Sequence, residues 1–266
     1  MTPDPVISES TPAADQPTGP AANANGSAAD GSPAPAPPVV TVVLVRHGRS
    51  TANTSGILAG RTPGVQLDDH GRGQATAIAE RLAGTNIDRL ISSPLERCLQ
   101  TVGPFSQASG LTVEVDDRFV EVDYGDWAGR PLRELGAEPL WRTVQQHPSA
   151  AVFPAGEGLA TVSSRAAAAI RDVRRRATKD QTVLICSHGD VIKAVLADAL
   201  GMHLDSFQRI VVAPASLSVI RFTPLRPFVE RINDTGDLGS LGPHPPPAQA
   251  DRPETASDAV PGGVTR

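Results

Sequence analysis

The chain has 266 residues, a net charge of −5 and only 3% aromatic side chains. A mildly acidic chain without a basic block argues against nucleic acid or a membrane surface as partner. Its length suits one sizeable domain with appendages, and its two cysteines, Cys98 and Cys186, are too few for a disulfide framework.

Residues 1–38 are rich in Pro, Ala, Ser, Asp and Gly and end in PAPAPP, a composition that predicts a disordered tail. This segment lacks the apolar core of a signal peptide, and no stretch reaches the length of a transmembrane helix, so the expected location is the cytoplasm. Val39 to Val45 then form a short β-branched run, the pattern of a strand buried on both faces of a parallel sheet. It stops on Arg46, His47 and Gly48. In open α/β sheets ligands bind beyond the carboxyl ends of the strands, so this turn is the predicted site. Ser50–Gly71 reads as an irregular loop walling the pocket.

Gln74–Leu82 carries apolar residues at helical spacing and stops at Gly84, and Asn86–Ile91 reads as the next strand. Ser93 and Pro94 predict a helix start, with Ser as N-cap and Pro at the first helical position, continuing through Cys98, Leu99 and Val102. Arg97 in its first turn is electrostatically awkward against the helix dipole unless an anion binds there. Leu111, Val113 and Val115 alternate as in a half-exposed strand. Phe119–Gly129 is turn-rich and carries Glu121, whose apolar neighbours Val120 and Val122 favour a raised pKa. Arg130–Phe153 departs from strand-helix alternation and predicts short helices inserted over the site. Thr161–Arg176 is a helix, and Thr182–Cys186 is a second buried strand that ends in Ser187, His188, Gly189 and Asp190. The two strand-His-Gly units converge if their strands are neighbours. Val191–Leu200 reads as a helix, Ala215–Phe222 as the strand closing the sheet, and residues 236–266 as a second disordered tail.

Several stretches together resemble the histidine phosphatase, or phosphoglycerate mutase-like, superfamily: RHGRSTAN (46–53), GRT with LDDHGRGQA (60–75), SSPLERCLQT (92–101), FVEVDYGDWAGR (119–130), GEG (156–158) and SHGDVIK (187–193). The resemblance spans roughly residues 39–230. It implies a three-layer α/β/α sandwich with a mostly parallel central sheet, formed by a catalytic domain at 39–235. It also implies a phosphomonoester hydrolase in which His47 is the nucleophile and Glu121 the proton donor. Arg46, Arg97 and His188 would hold the phosphoryl oxygens, joined by Asn53, Gly189 and Arg61, with Glu157 bracing the site. The expected partner is a small phosphorylated metabolite, with no cofactor. No HExxH, Cys-x-x-Cys or clustered carboxylate pattern supports a metal site at His47, His188 and Asp190. A phosphomutase and a non-catalytic phospholigand-binding protein are the alternatives. Leu132, where mutases resembling this chain carry Lys, favours the phosphatase. The sequence leaves monomer and homodimer open.

Overall fold

The computed structural model describes residues 36–236, so most of both expected tails lies outside the described residues. Six strands form one sheet in the order β3-β2-β4-β1-β5-β6: β1 (Val40–Arg46), β2 (Arg89–Ser92), β3 (Val113–Val115), β4 (Gln181–Ser187), β5 (Leu217–Phe222) and β6 (Pro227–Asp234). β1, β2, β3 and β4 run parallel, and β5 and β6 add an antiparallel edge. The expected α/β/α sandwich with a mostly parallel sheet is present.

The unbroken apolar runs follow from burial on both faces. Val42 and Leu44 of β1, with Val183 and Ile185 of β4, pack towards α6 (Leu159–Arg175) and α7 (Gly189–Leu200). Val43 and Val45, with Leu184 and Cys186, pack on the opposite face towards α2 (Asp69–Arg81) and α3 (Glu96–Ser109). Each such fully buried side chain contributes about 1.5–3 kcal/mol relative to exposure, which fixes the two central strands most strongly of all.

Three expectations need correction. The stretch 50–71 is not irregular throughout: Ser50 caps a short helix, α1 (Thr51–Ser55), and Asp68 caps α2, whose helix therefore begins at Asp69 rather than Gln74. α3 starts at Glu96 with Leu95 at the N-cap, two residues after the Ser-Pro signal, and no side chain caps it. It also runs on through Pro104 to Ser109, although proline cannot donate an in-helix bond. Finally, β5 does not close the sheet. β6 pairs beyond it with register shifts, a strand whose half-exposed pattern carries little alternation to read.

The inserted region holds α4 (Leu132–Leu135), α5 (Pro139–Gln146) and a single turn at Pro148–Ala150. Trp127 stacks on Trp141 with ring centroids 6.2 Å apart, and Phe153 meets Trp127 edge-on at 5.3 Å. This aromatic cluster anchors the insertion to the core. Among the described residues no helix is long and apolar enough to cross a membrane.

Candidate active site

β1 and β4 pair in parallel with Arg46 opposite Ser187, so the residues that follow, His47 and His188, leave the sheet side by side. The His47 backbone N–H donates to the Ser187 carbonyl at 3.0 Å, and the two imidazole centroids lie 5.2 Å apart. Gly48 makes the turn possible by close approach: a Cβ there would sit 2.7 Å from the Gly71 carbonyl oxygen. Its N–H donates to Thr101 Oγ1 at 2.9 Å, while that hydroxyl donates to the Arg97 carbonyl at 2.6 Å. One threonine thus ties the turn after β1 to the helix that carries Arg97.

The two histidines are held differently. His47 Nδ1 lies 2.7 Å from the Gly48 carbonyl, a group that only accepts, so the proton sits on Nδ1 and the lone pair is on Nε2. His188 Nδ1 lies 3.2 Å from Arg97 Nη2, a group that only donates, and its Nε2 lies 2.7 Å from Ser93 Oγ. His188 therefore carries its proton on Nε2 and presents Nδ1 as acceptor. Burial, then the Arg97 guanidinium, hold both imidazoles well below their usual pKa, so both are neutral near pH 7.

Arg46 and Arg97 are buried, at 0% and 1% exposure. Arg46 Nη1 donates to the Val212 carbonyl at 2.7 Å, and burial lowers its pKa to about 10, still well above neutrality. Arg97 Nη2 donates to the Gly60 carbonyl at 2.8 Å, whereas its buried Nη1 has no partner among the described residues. A buried cationic donor without an acceptor costs more than a neutral one, and such groups mark ligand positions.

Glu121 is 4% exposed. Its Oε1 accepts the Val122 N–H at 3.0 Å, and its Oε2 stands 3.8 Å from His188 Nδ1. Burial first and the charge of Asp190 second push its pKa up to about 7, against Arg97, the Val122 N–H and Arg46. A carboxylic acid is thereby available at neutral pH beside a neutral imidazole.

The other expected residues take supporting positions. The amide oxygen of Asn53 accepts from the Ser50 N–H and hydroxyl, which closes a capping box and leaves the amide nitrogen as the group able to reach a ligand. Arg61 Nε donates to the Glu121 carbonyl at 2.9 Å and its Nη2 to Glu157 at 2.8 Å. Gly189 opens α7. Residues missed in the sequence are Ser93, Thr101, Tyr124 and Arg165. The last donates to the Glu121 carbonyl at 3.2 Å and to Glu157 at 2.7 Å, bracing the loop that carries Glu121 from α6. Among the described residues no group of three or more His, Cys, Asp or Glu is placed to hold a metal ion.

Two neutral imidazoles, two buried guanidiniums and a carboxyl whose pKa is raised to about 7 at the carboxyl end of a parallel sheet define an enzyme of phosphoryl chemistry. The comparisons with known proteins agree. The model of the histidine phosphatase superfamily (branch 1) matches residues 42–235. Phosphoserine phosphatase 1 of Hydrogenobacter thermophilus is 33% identical over 206 residues, 76% of this chain and 96% of that one. Glucosyl-3-phosphoglycerate phosphatase of Mycolicibacterium vanbaalenii is 30% identical over 173 residues, 62% of this chain and 76% of that one. The crystal structure of alpha-ribazole phosphatase from Shigella flexneri superposes with a TM-score of 0.67 at 26% identity, over 73% of this chain and 96% of that one. The chain belongs to the histidine phosphatase superfamily, and it is a phosphatase of the phosphoglycerate mutase-like fold.

Proposed function

We propose that residues 39–235 hydrolyse the phosphomonoester of a small metabolite through a phosphohistidine on His47, without a metal ion. The observation that carries this reading is Arg97 Nη1, a buried cationic donor with no protein acceptor, next to the His188 imidazole that neighbours His47. A phosphoryl group between Arg46 and Arg97, beside the His188 ring, supplies the missing acceptor, with the Asn53 amide, the Gly189 N–H at the start of α7 and Arg61 at its margin.

The lone pair of His47 Nε2 attacks phosphorus while the bond from phosphorus to the ester oxygen breaks. Glu121 gives its proton to the departing oxygen, so an alcohol leaves rather than an alkoxide. Water then attacks the phosphohistidine, and the Glu121 carboxylate takes the proton. The P–N bond breaks, phosphate leaves, and both side chains return to their starting forms. The fixed donors meet the charge on the equatorial oxygens, each worth about 2.7–4 kcal/mol of barrier in a dry site. Leu132 in the inserted region supports hydrolysis over mutase chemistry. The two buried free cysteines support a reducing, cytoplasmic setting, and the absence of a basic block supports a small molecule rather than nucleic acid as partner.

The test is phosphate release from a panel of phosphomonoesters with chelator present, with product analysis for 2-phosphoglycerate when 3-phosphoglycerate is supplied. Release that survives chelation, with an acid-labile phosphoenzyme that disappears in His47→Ala, is the expected result. Isomerisation without release would replace hydrolysis by mutase chemistry, and labelling that persists in His47→Ala would remove the nucleophile assignment.

A further inference from the structure

Ser187, the last residue of β4, is fully buried and carries a hydroxyl that no step above uses. Its backbone carbonyl accepts the His47 N–H at 3.0 Å, and its neighbour in the chain is His188. Its hydroxyl reaches the loop after β3 and donates to the Phe119 carbonyl at 2.7 Å, across a sequence separation of 68 residues. Phe119 precedes Glu121 by two residues.

That loop is held by side chains that come to its carbonyls from elsewhere. Arg165 Nη1 donates to the Arg118 carbonyl at 2.7 Å, Ser187 to that of Phe119, and Arg61 Nε and Arg165 Nη2 to that of Glu121 at 2.9 Å and 3.2 Å. These ties are unequal. The Arg61 side chain is 37% exposed and that of Arg165 17%, so water can take over from either. Ser187 and Phe119 are both at 0% exposure, where a lost hydrogen bond leaves an acceptor with no replacement donor. The buried tie is also the one that starts beside His188; the others start from α6 and from the loop after α1.

The spacing that results is short. Glu121 Oε2 stands 3.8 Å from His188 Nδ1, and a proton donor has to come within about 2.6–3.2 Å of the oxygen it protonates. An acid on a loop meets that requirement only while the loop is fixed relative to the group that attacks phosphorus.

We infer that Ser187 is the positioning residue for the general acid: its carbonyl fixes the turn carrying His47, and its hydroxyl fixes the loop carrying Glu121. One residue thereby sets the distance between the attacking imidazole and the carboxyl that protonates the leaving oxygen. The inference rests on Glu121 being the proton donor.

The experiment compares kcat/KM, which reports the first phosphoryl transfer, on two esters. Glycerol 2-phosphate releases an alkoxide that must be protonated as it leaves, whereas the leaving group of p-nitrophenyl phosphate needs little help. In Ser187→Ala the Phe119 carbonyl loses its donor and the carboxyl its fixed place. The value for glycerol 2-phosphate falls about ten- to a hundredfold, and that for p-nitrophenyl phosphate changes by less than about threefold. If Ser187→Ala does not fold by circular dichroism, Ser187→Cys, similar in size but a weak donor, carries the same comparison. Equal losses on the two esters, or no loss on either, would make the hydroxyl a structural one and overturn the inference. Glu121→Gln separates the two levels. If its losses are equal on both esters, the acid assignment falls and the inference with it; if they are selective there but not in the Ser187 variant, the inference alone falls.

Discussion

His47 and His188 close sequence units built alike, each a buried strand followed by His-Gly, and their strands lie side by side in register. Their chemistry still differs, because the contacts on each ring come from other parts of the chain. His47 donates its Nδ1–H to the carbonyl of its own neighbour Gly48, which leaves the lone pair on Nε2. His188 is gripped at both nitrogens by Ser93 and Arg97, from the loop after β2 and the start of α3. An imidazole held at both edges has no nitrogen to spare, whereas one held at a single edge can form a new bond. The local motif places a histidine at the crevice, and distant partners decide its role.

Alanine variants should break the apparent symmetry. His47→Ala removes the phosphoenzyme altogether, while His188→Ala retains slow labelling of His47 with kcat lower by about 10²–10³, as read by alkali-quenched transfer from labelled substrate. Comparable labelling in both variants would erase the distinction.

The acid beside them makes a larger mark on stability than on structure. Its folded pKa of about 7 exceeds the ordinary 4.5, so the folded state binds the extra proton. The stability it contributes is full below about pH 4.5 and is lost as pH rises through about 7, a change of roughly 3 kcal/mol. Denaturant titrations from pH 4.5 to 8 should show that decline in the wild type and a flatter course in Glu121→Gln.

Thr101 and Ser93 sharpen the contrast between the two turns. Thr101→Val leaves the buried Gly48 N–H without an acceptor, so about 1–3 kcal/mol of stability should be lost in urea unfolding. Ser93→Ala removes the partner of His188 Nε2, together with a long 3.4 Å bond from the Leu95 N–H, and should lower kcat about three- to tenfold, the effect of one hydrogen bond, with labelling of His47 intact. A Ser93 variant that lost labelling would mean that His188 orients the nucleophile as well as the phosphate.

Much of this site was legible in the chain because its parts are local. Arg46 and His47 end an apolar run, Arg97 sits two residues into a helix, and Glu121 lies between two valines. The helix start at Glu96 was misjudged because Ser93 is turned to His188 rather than to the helix backbone. Its hydroxyl bonds the imidazole at 2.7 Å, a competition invisible in the Ser-Pro signal. The irregular loop expected after Ser50 resolved into two capped helices because Asp68 caps α2 while also binding Arg49 and Thr54, partners 19 and 14 residues away.

By itself the sequence determined the buried central strands, since only continuous β-branched runs suit a sheet covered on both faces, and it placed a histidine at the end of each. Only the tertiary structure decided which imidazole keeps a free nitrogen, where Arg97 lacks an acceptor, and how Ser93 and Thr101 reach the two histidine turns. Those outcomes depend on distances between segments far apart in the chain and on burial, which sets the strength of every charge and which no local pattern encodes.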